Sequence, residues 1–138
     1  MSARRLRTHN KGFTLVELMI VITIIVILVS ILIPNFIRAR SRSQLSVCTS
    51  NLKNIASGVE MYSTDNDGRY PTQLEQLTPK YLRTIPKCPV AGSDSYSSSF
   101  TSSVVPDTYE FYCDGNSHLG FAPVDYPRYD PSQGLVER

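Results

Sequence analysis

The chain has 138 residues and a formal net charge of +2, from 14 basic and 12 acidic groups. That length leaves room for one small domain once a membrane segment is set aside. Arg4, Arg5, Arg7 and Lys11 carry the basic excess; without residues 1–12 the balance turns acidic, and no basic stripe crosses the rest of the chain, which argues against a nucleic-acid binder.

After this basic leader (1–12) comes an apolar run, Phe13 to Ile33, interrupted by one charge at Glu17. About 21 residues at about 1.5 Å rise span roughly 31 Å, the thickness of a bilayer's hydrocarbon core. The leader charges predict a cytoplasmic N-terminus and a periplasmic or external head by the positive-inside rule, although Arg38, Arg40 and Arg42 follow on the far side. A cleaved secretory signal would be shorter and would end in small residues, whereas this run ends in Ile33-Pro34-Asn35. A plain single-pass anchor fits the length and leaves Glu17 unexplained. An ionised side chain costs roughly 2.5–3.5 kcal/mol at the bilayer centre on insertion scales, and less near the interface.

Beyond the run, Leu45, Cys48, Leu52, Ile55, Val59 and Tyr62 recur at spacings of three and four, which aligns them on one helix face. Ser50, Lys53, Asn54, Ser57 and Glu60 take much of the other face. One long helix is therefore predicted from Phe13 to Ser63, with a transmembrane half (13–34) and an amphipathic half (35–63). Pro34 removes the N–H that would bond the Ser30 carbonyl, so a kink is predicted near Ser30–Pro34. Arg38 and Arg42 lie one turn apart, either as a solvated face or as partners for acidic groups on a neighbouring subunit.

A head is predicted over 64–122. Asp65-Asn66-Asp67-Gly68 reads as the helix stop and turn, since its Gly comes too early for a calcium loop. Leu74–Leu77 forms a short helix stopped by Pro79. Tyr96–Val105, Tyr109–Cys113 and His118–Ala122 read as strands separated by Pro106-Asp107-Thr108 and Asp114-Gly115-Asn116. The tail 123–138, rich in Pro, Asp and Tyr, reads as irregular. The fold class is α+β: a long N-terminal helix packed against a small antiparallel sheet of about three strands.

Cys88 in a loop and Cys113 at a strand end are within plausible reach of one another, and bridging them closes a loop of about 24 residues, worth roughly 3 kcal/mol in a loop-entropy model. Cys48 fits as a small buried hydrophobe. Three thiols permit three single pairings, and the alternatives stay open. Neither His9 nor His118 shows a Cys or Asp at metal-ligand or triad spacing, and there is no Gly-rich phosphate loop. Asp125 and Asp130 lie in the tail. No catalytic residue and no metal site is expected, and the chain does not read as an enzyme.

The stretch Lys11-Gly12-Phe13-Thr14-Leu15-Val16-Glu17-Leu18-Met19-Ile20-Val21-Ile22 closely resembles the class III signal of type IV pilins and type II secretion pseudopilins. Asp67-Gly68-Arg69-Tyr70-Pro71-Thr72, Tyr81-Leu82 and Ile85-Pro86 resemble the loop region of the major pseudopilin and of short related pilins. The resemblance implies a filament subunit held as a precursor in the inner-membrane bilayer. A prepilin peptidase would cut between Gly12 and Phe13 and methylate the new amine of Phe13. Glu17 would pair with the N-terminal amine of an adjacent subunit, or serve its own terminus and helix dipole one turn away. Copies of the chain and related pilins would be the filament partners, drawn from the membrane by an assembly platform with an ATPase. The Gly-Arg-Tyr-Pro-Thr loop leans to a protein-secreting pseudopilus; the alternative is a pilus for adhesion, motility or DNA uptake. Pro34 matches the proline that ends the hydrophobic half in these families. Cys88-Pro89-Val90-Ala91-Gly92 departs from the pseudopilin pattern, and Asp114, Asp125 and Asp130 do not reproduce the calcium loop of the family, so no cofactor is expected and a disulfide takes over the stabilising role. A competing reading of another class is a monomeric, membrane-tethered binding module that keeps its leader.

Overall fold

A computed structural model describes residues 12–105 and 107–136. Of the basic leader expected over 1–12, all but Gly12 lies outside the described residues. The fold divides between Arg38 and Ala39 into two compact units. One helix, α1 (Leu15–Asp65), supplies the first unit and opens the second.

In the first unit α1 is apolar on every side. From Leu15 to Ile37 its large hydrophobic side chains are all exposed, the least of them, Val29, at 42%. The few polar groups here are satisfied within the helix. Thr23 Oγ1 donates to Met19 O at 2.7 Å, Ser30 Oγ to Ile27 O at 2.7 Å and Asn35 Nδ2 to Ile31 O at 3.4 Å. Such back-bonding leaves little for water to do, which is the condition for a helix that lives in hydrocarbon or against other apolar helices.

In the second unit the helix becomes amphipathic, and the stripe Cys48, Leu52, Ile55, Ala56 and Val59 is buried. Gly68, at φ +84°, closes the helix by donating its N–H to Ser63 O at 2.9 Å. That is the outer bond of a Schellman-type stop, and the left-handed residue the motif requires is the one before it, Asp67 at φ +58°. Leu74–Leu77 forms a 3-10 turn whose two leucines enter the core. Four strands follow: β1 (Thr101–Val104), β2 (Asp107–Tyr112), β3 (Arg128–Asp130) and β4 (Gly134–Val136). They form one antiparallel sheet in the order β1-β2-β3-β4. Strand alternation turns Tyr109 and Phe111 of β2 inward, and both join the helix stripe in a single core with Leu74, Leu77, Tyr96 and Phe100.

Three sequence expectations change. The strand expected at Tyr96–Val105 begins only at Thr101, because Asp94 Oδ1 accepts from the backbone N–H groups of Tyr96 (2.9 Å) and Ser97 (3.1 Å) and holds a turn there. The strand expected at His118–Ala122 is instead a series of turns, since Phe121 and Ala122 both donate their N–H to His118 O. The tail expected to be irregular contains β3 and β4, which gives four strands rather than about three. Their hairpin is organised by Asp130 Oδ1, which accepts from Ser132 N at 2.7 Å, and by Gly134 at φ +74°. Tyr129 of β3 packs on Phe111 with ring centroids 5.7 Å apart, so the tail covers the sheet's inner edge.

Candidate functional site

The first turn of α1 is built by Thr14 and Glu17. Thr14 Oγ1 accepts from Glu17 N at 3.2 Å, and Glu17 Oε2 accepts from Thr14 N at 2.9 Å and from Thr14 Oγ1 at 2.8 Å. This reciprocal arrangement is a capping box, Thr-x-x-Glu, in which two otherwise orphaned N–H donors are satisfied. Both bonds fall on Oε2, so the carboxylate retains acceptor capacity on its other oxygen. The single charge of the apolar run is thus tied to the helix start, where the helix dipole favours an anion.

Gly12 and Phe13 precede the box outside any helix or strand and are exposed, Phe13 at 75%. A Cβ built on Gly12 would meet nothing within 4 Å, and its φ is not in the left-handed region. Neither packing nor backbone geometry asks for glycine at this position. Pro34 lies inside α1, which is continuous on both sides of it.

In the head, Cys88 and Cys113 are both buried, as expected of a pair, but the Cys88–Cys113 bond is not formed. They share their surroundings with two more groups. The Sγ atoms of Cys48, Cys88 and Cys113 and a ring nitrogen of His118 all lie within 4.8 Å of one another, and all four residues are buried. His118 Nε2 is 3.7 Å from Cys88 Sγ. The sequence reading placed no cysteine near His118, and the structure brings three beside it in space; the short separation of Cys113 and His118 along the chain is the local trace of that grouping. Hydrogen bonds from Cys48 above all, then from Ser95, Cys88 and His118, hold the Cys113 thiol below its ordinary pKa. Cys48 moves the other way, chiefly because its hydrogen bond to Cys113 holds its proton, with burial adding to the effect.

Residues 7–33 match the family model described as the prokaryotic N-terminal methylation motif. The chain is 36% identical over 112 residues to the type IV wide pilus major component PilA4 of Thermus thermophilus, covering 81% of this chain and 76% of that protein. It is 43% identical over 67 residues to the type IV major pilin protein PilA of Myxococcus xanthus, covering 49% of this chain and 30% of that protein. It is 36% identical over 83 residues to the type II secretion system core protein G of Klebsiella michiganensis, covering 60% of this chain and 56% of that protein. The chain thus spans less than two thirds of the Myxococcus and Klebsiella relatives. No solved structure matches.

Proposed function

The chain belongs to the family of type IV pilins and type II secretion pseudopilins, and from that premise we propose how it becomes part of a filament. It is a structural subunit, and members of its family are processed by a prepilin peptidase and assemble with copies of themselves. The observation that carries the route is a helix apolar on every side whose first turn holds one carboxylate directly after an exposed Gly-Phe junction. The peptidase cuts between Gly12 and Phe13 and methylates the amine released on Phe13. Smallness at Gly12, which the fold does not require, suits entry of the junction into another protein's cleft.

Before assembly the apolar helix anchors the precursor in the inner membrane, with its N-terminus cytoplasmic as the leader charges favour. In the filament, Glu17 receives the methylated amine of a neighbouring Phe13 beside its own Thr14 cap. Two opposite charges enclosed by apolar helices each reduce the other's desolvation penalty. Pro34, which leaves the Ser30 carbonyl without its usual partner, is where the helix yields as the subunit leaves the bilayer. That departure exchanges lipid for other apolar helices with little hydrophobic gain, so an assembly platform driven by an ATPase supplies the work.

Two filament types remain as readings. The Thermus relative, matched over most of both chains, supports a pilus, whereas the Gly68-Arg69-Tyr70-Pro71-Thr72 loop and the secretion-system relatives support a pseudopilus. The processing step is tested by the intact mass of the protein purified from membranes and from sheared filaments. The expected mass begins at Phe13 and includes one methyl group. Full-length chain in both fractions would defeat the filament route and favour a tethered binding module.

A further inference from the structure

The geometry points to a structural zinc site in the head, with Cys48, Cys88 and Cys113 as sulfur ligands and His118 as the nitrogen ligand. Zinc takes four ligands at tetrahedral positions, about 2.3 Å away for sulfur and about 2.0 Å for nitrogen. Those bond lengths place neighbouring ligand atoms about 3.5–3.8 Å apart. The Cys88 Sγ to His118 Nε2 separation of 3.7 Å already has that value, and no pair in the set exceeds 4.8 Å. All four residues are buried, the three cysteines at 1% exposure or less and His118 at 5%. No position is left open to solvent, which marks a structural rather than a catalytic site.

What surrounds the sulfurs also fits metal-bound thiolates. Asn51 Nδ2 donates to Tyr96 Oη at 3.2 Å, which leaves the Tyr96 hydroxyl hydrogen for Cys48 Sγ at 3.1 Å. Ala91 N donates to Cys88 Sγ at 3.5 Å, and Ser95 Oγ lies 3.2 Å from Cys113 Sγ. Each sulfur therefore has an N–H or O–H neighbour from outside the set, as outer partners of metal thiolates do. A disulfide between Cys88 and Cys113 would use two of the four groups and leave a thiol and an imidazole buried beside it.

The four ligands come from α1, from the loop before Pro89, from the residue just past β2 and from the turns that follow it. One ion would join segments that the head's small core otherwise holds by packing. On binding, three S–H bonds break and their protons pass to solvent, while three Zn–S bonds and one Zn–N bond form. His118 enters neutral, and no electron is transferred.

The test uses the full chain purified in detergent without chelator. Elemental analysis is expected to give about one zinc per chain, as for a closed four-ligand site. Cobalt(II) in place of zinc is expected to give tetrahedral visible bands with thiolate charge transfer, and a strong chelator to lower the Tm and expose the cysteines to alkylation. Cys48→Ser and His118→Gln should lose the ion. Tyr96→Phe, which keeps the packing and removes the hydroxyl at Cys48, should weaken zinc binding about 10-fold or more in chelator competition. The proposal is overturned if the wild type is metal-free with a Cys88–Cys113 disulfide, recognised by the loss of two hydrogens. It is equally overturned by an octahedral cobalt spectrum, or by full zinc retention in His118→Gln. Should the cysteine and histidine variants fail to fold, zinc content and the cobalt spectrum of the wild type decide.

Discussion

Tyr109 on β2 donates its hydroxyl hydrogen to Glu60 Oε1 on α1 at 2.8 Å, so the central strand and the helix are joined by a polar contact at the edge of the apolar core. The ring below it is 1% exposed and stacks on Phe111 and Tyr129 at centroid separations of 6.1 Å each. Removing the hydroxyl in Tyr109→Phe keeps this packing and returns an exposed carboxylate to water. The expected loss of head stability is about 1–2 kcal/mol, read as a lower denaturation midpoint at unchanged slope. Glu60→Gln retains an acceptor and should lose less.

The capping box separates two roles for Glu17. Glu17→Gln keeps an acceptor for Thr14 N and removes the charge; Thr14→Ala keeps the charge and removes the hydroxyl. If a neighbour's amine is the partner that matters, Glu17→Gln sharply lowers incorporation into filaments while membrane insertion is unchanged or improved. Thr14→Ala should then assemble nearly normally. Equal filament yields from wild type and Glu17→Gln, counted on sheared fractions, would remove the charge from the assembly step.

Gly58 faces Leu82 so closely that a Cβ there would stand 3.0 Å from Leu82 Cγ. Alanine normally gains up to about 1 kcal/mol over glycine inside a helix. Overpacking costs about 1–3 kcal/mol, so Gly58→Ala is expected to be destabilising on balance. The sign should reverse in a Leu82→Ala background, where the added methyl group has room. Thermal unfolding of the four proteins in the cycle checks this.

At the helix stop, Asp65 accepts from Lys80 Nζ at 2.7 Å and from the Tyr81 hydroxyl at 3.0 Å, which holds its carboxyl below the ordinary aspartate range. A folded pKa below the unfolded one gives stability that is present above about pH 3.9 and is lost as pH falls through the folded value. The Tm difference between wild type and Asp65→Asn should therefore be constant near neutrality and shrink in acid. Both partners are substantially exposed, so the difference is small and salt lowers it further.

The parts of the molecule governed by local periodicity were legible in the sequence. The stripe Cys48, Leu52, Ile55 and Val59 follows from spacing alone, and the Asp67-Gly68 stop from backbone chemistry. Strands were harder because side-chain hydrogen bonds compete with them. Ser99 Oγ accepts from Tyr112 N at 3.0 Å and so takes the place of a ladder bond just where β1 had been expected to continue. The β3–β4 hairpin is hidden by Pro131 and by the shortness of its strands, and its residues packed on the core, Tyr129 and Leu135, face one another across a turn that the local pattern does not mark. The thiol cluster was hidden by distance along the chain. Its cysteines come from three separate segments, and Cys113 with His118 is the single local trace of it.

The exposed side chains from Leu15 to Ile33 divide what can be measured on this protein into two kinds of quantity. The head, with its own core, has a melting temperature in the ordinary sense. The large apolar side chains from Leu15 to Ile33 are exposed among the described residues, so their free energy belongs to whatever surrounds them and is a matter of partition rather than of folding. Detergent, bilayer and filament are for those side chains three different solvents, and a stability measured in one does not carry over to the next.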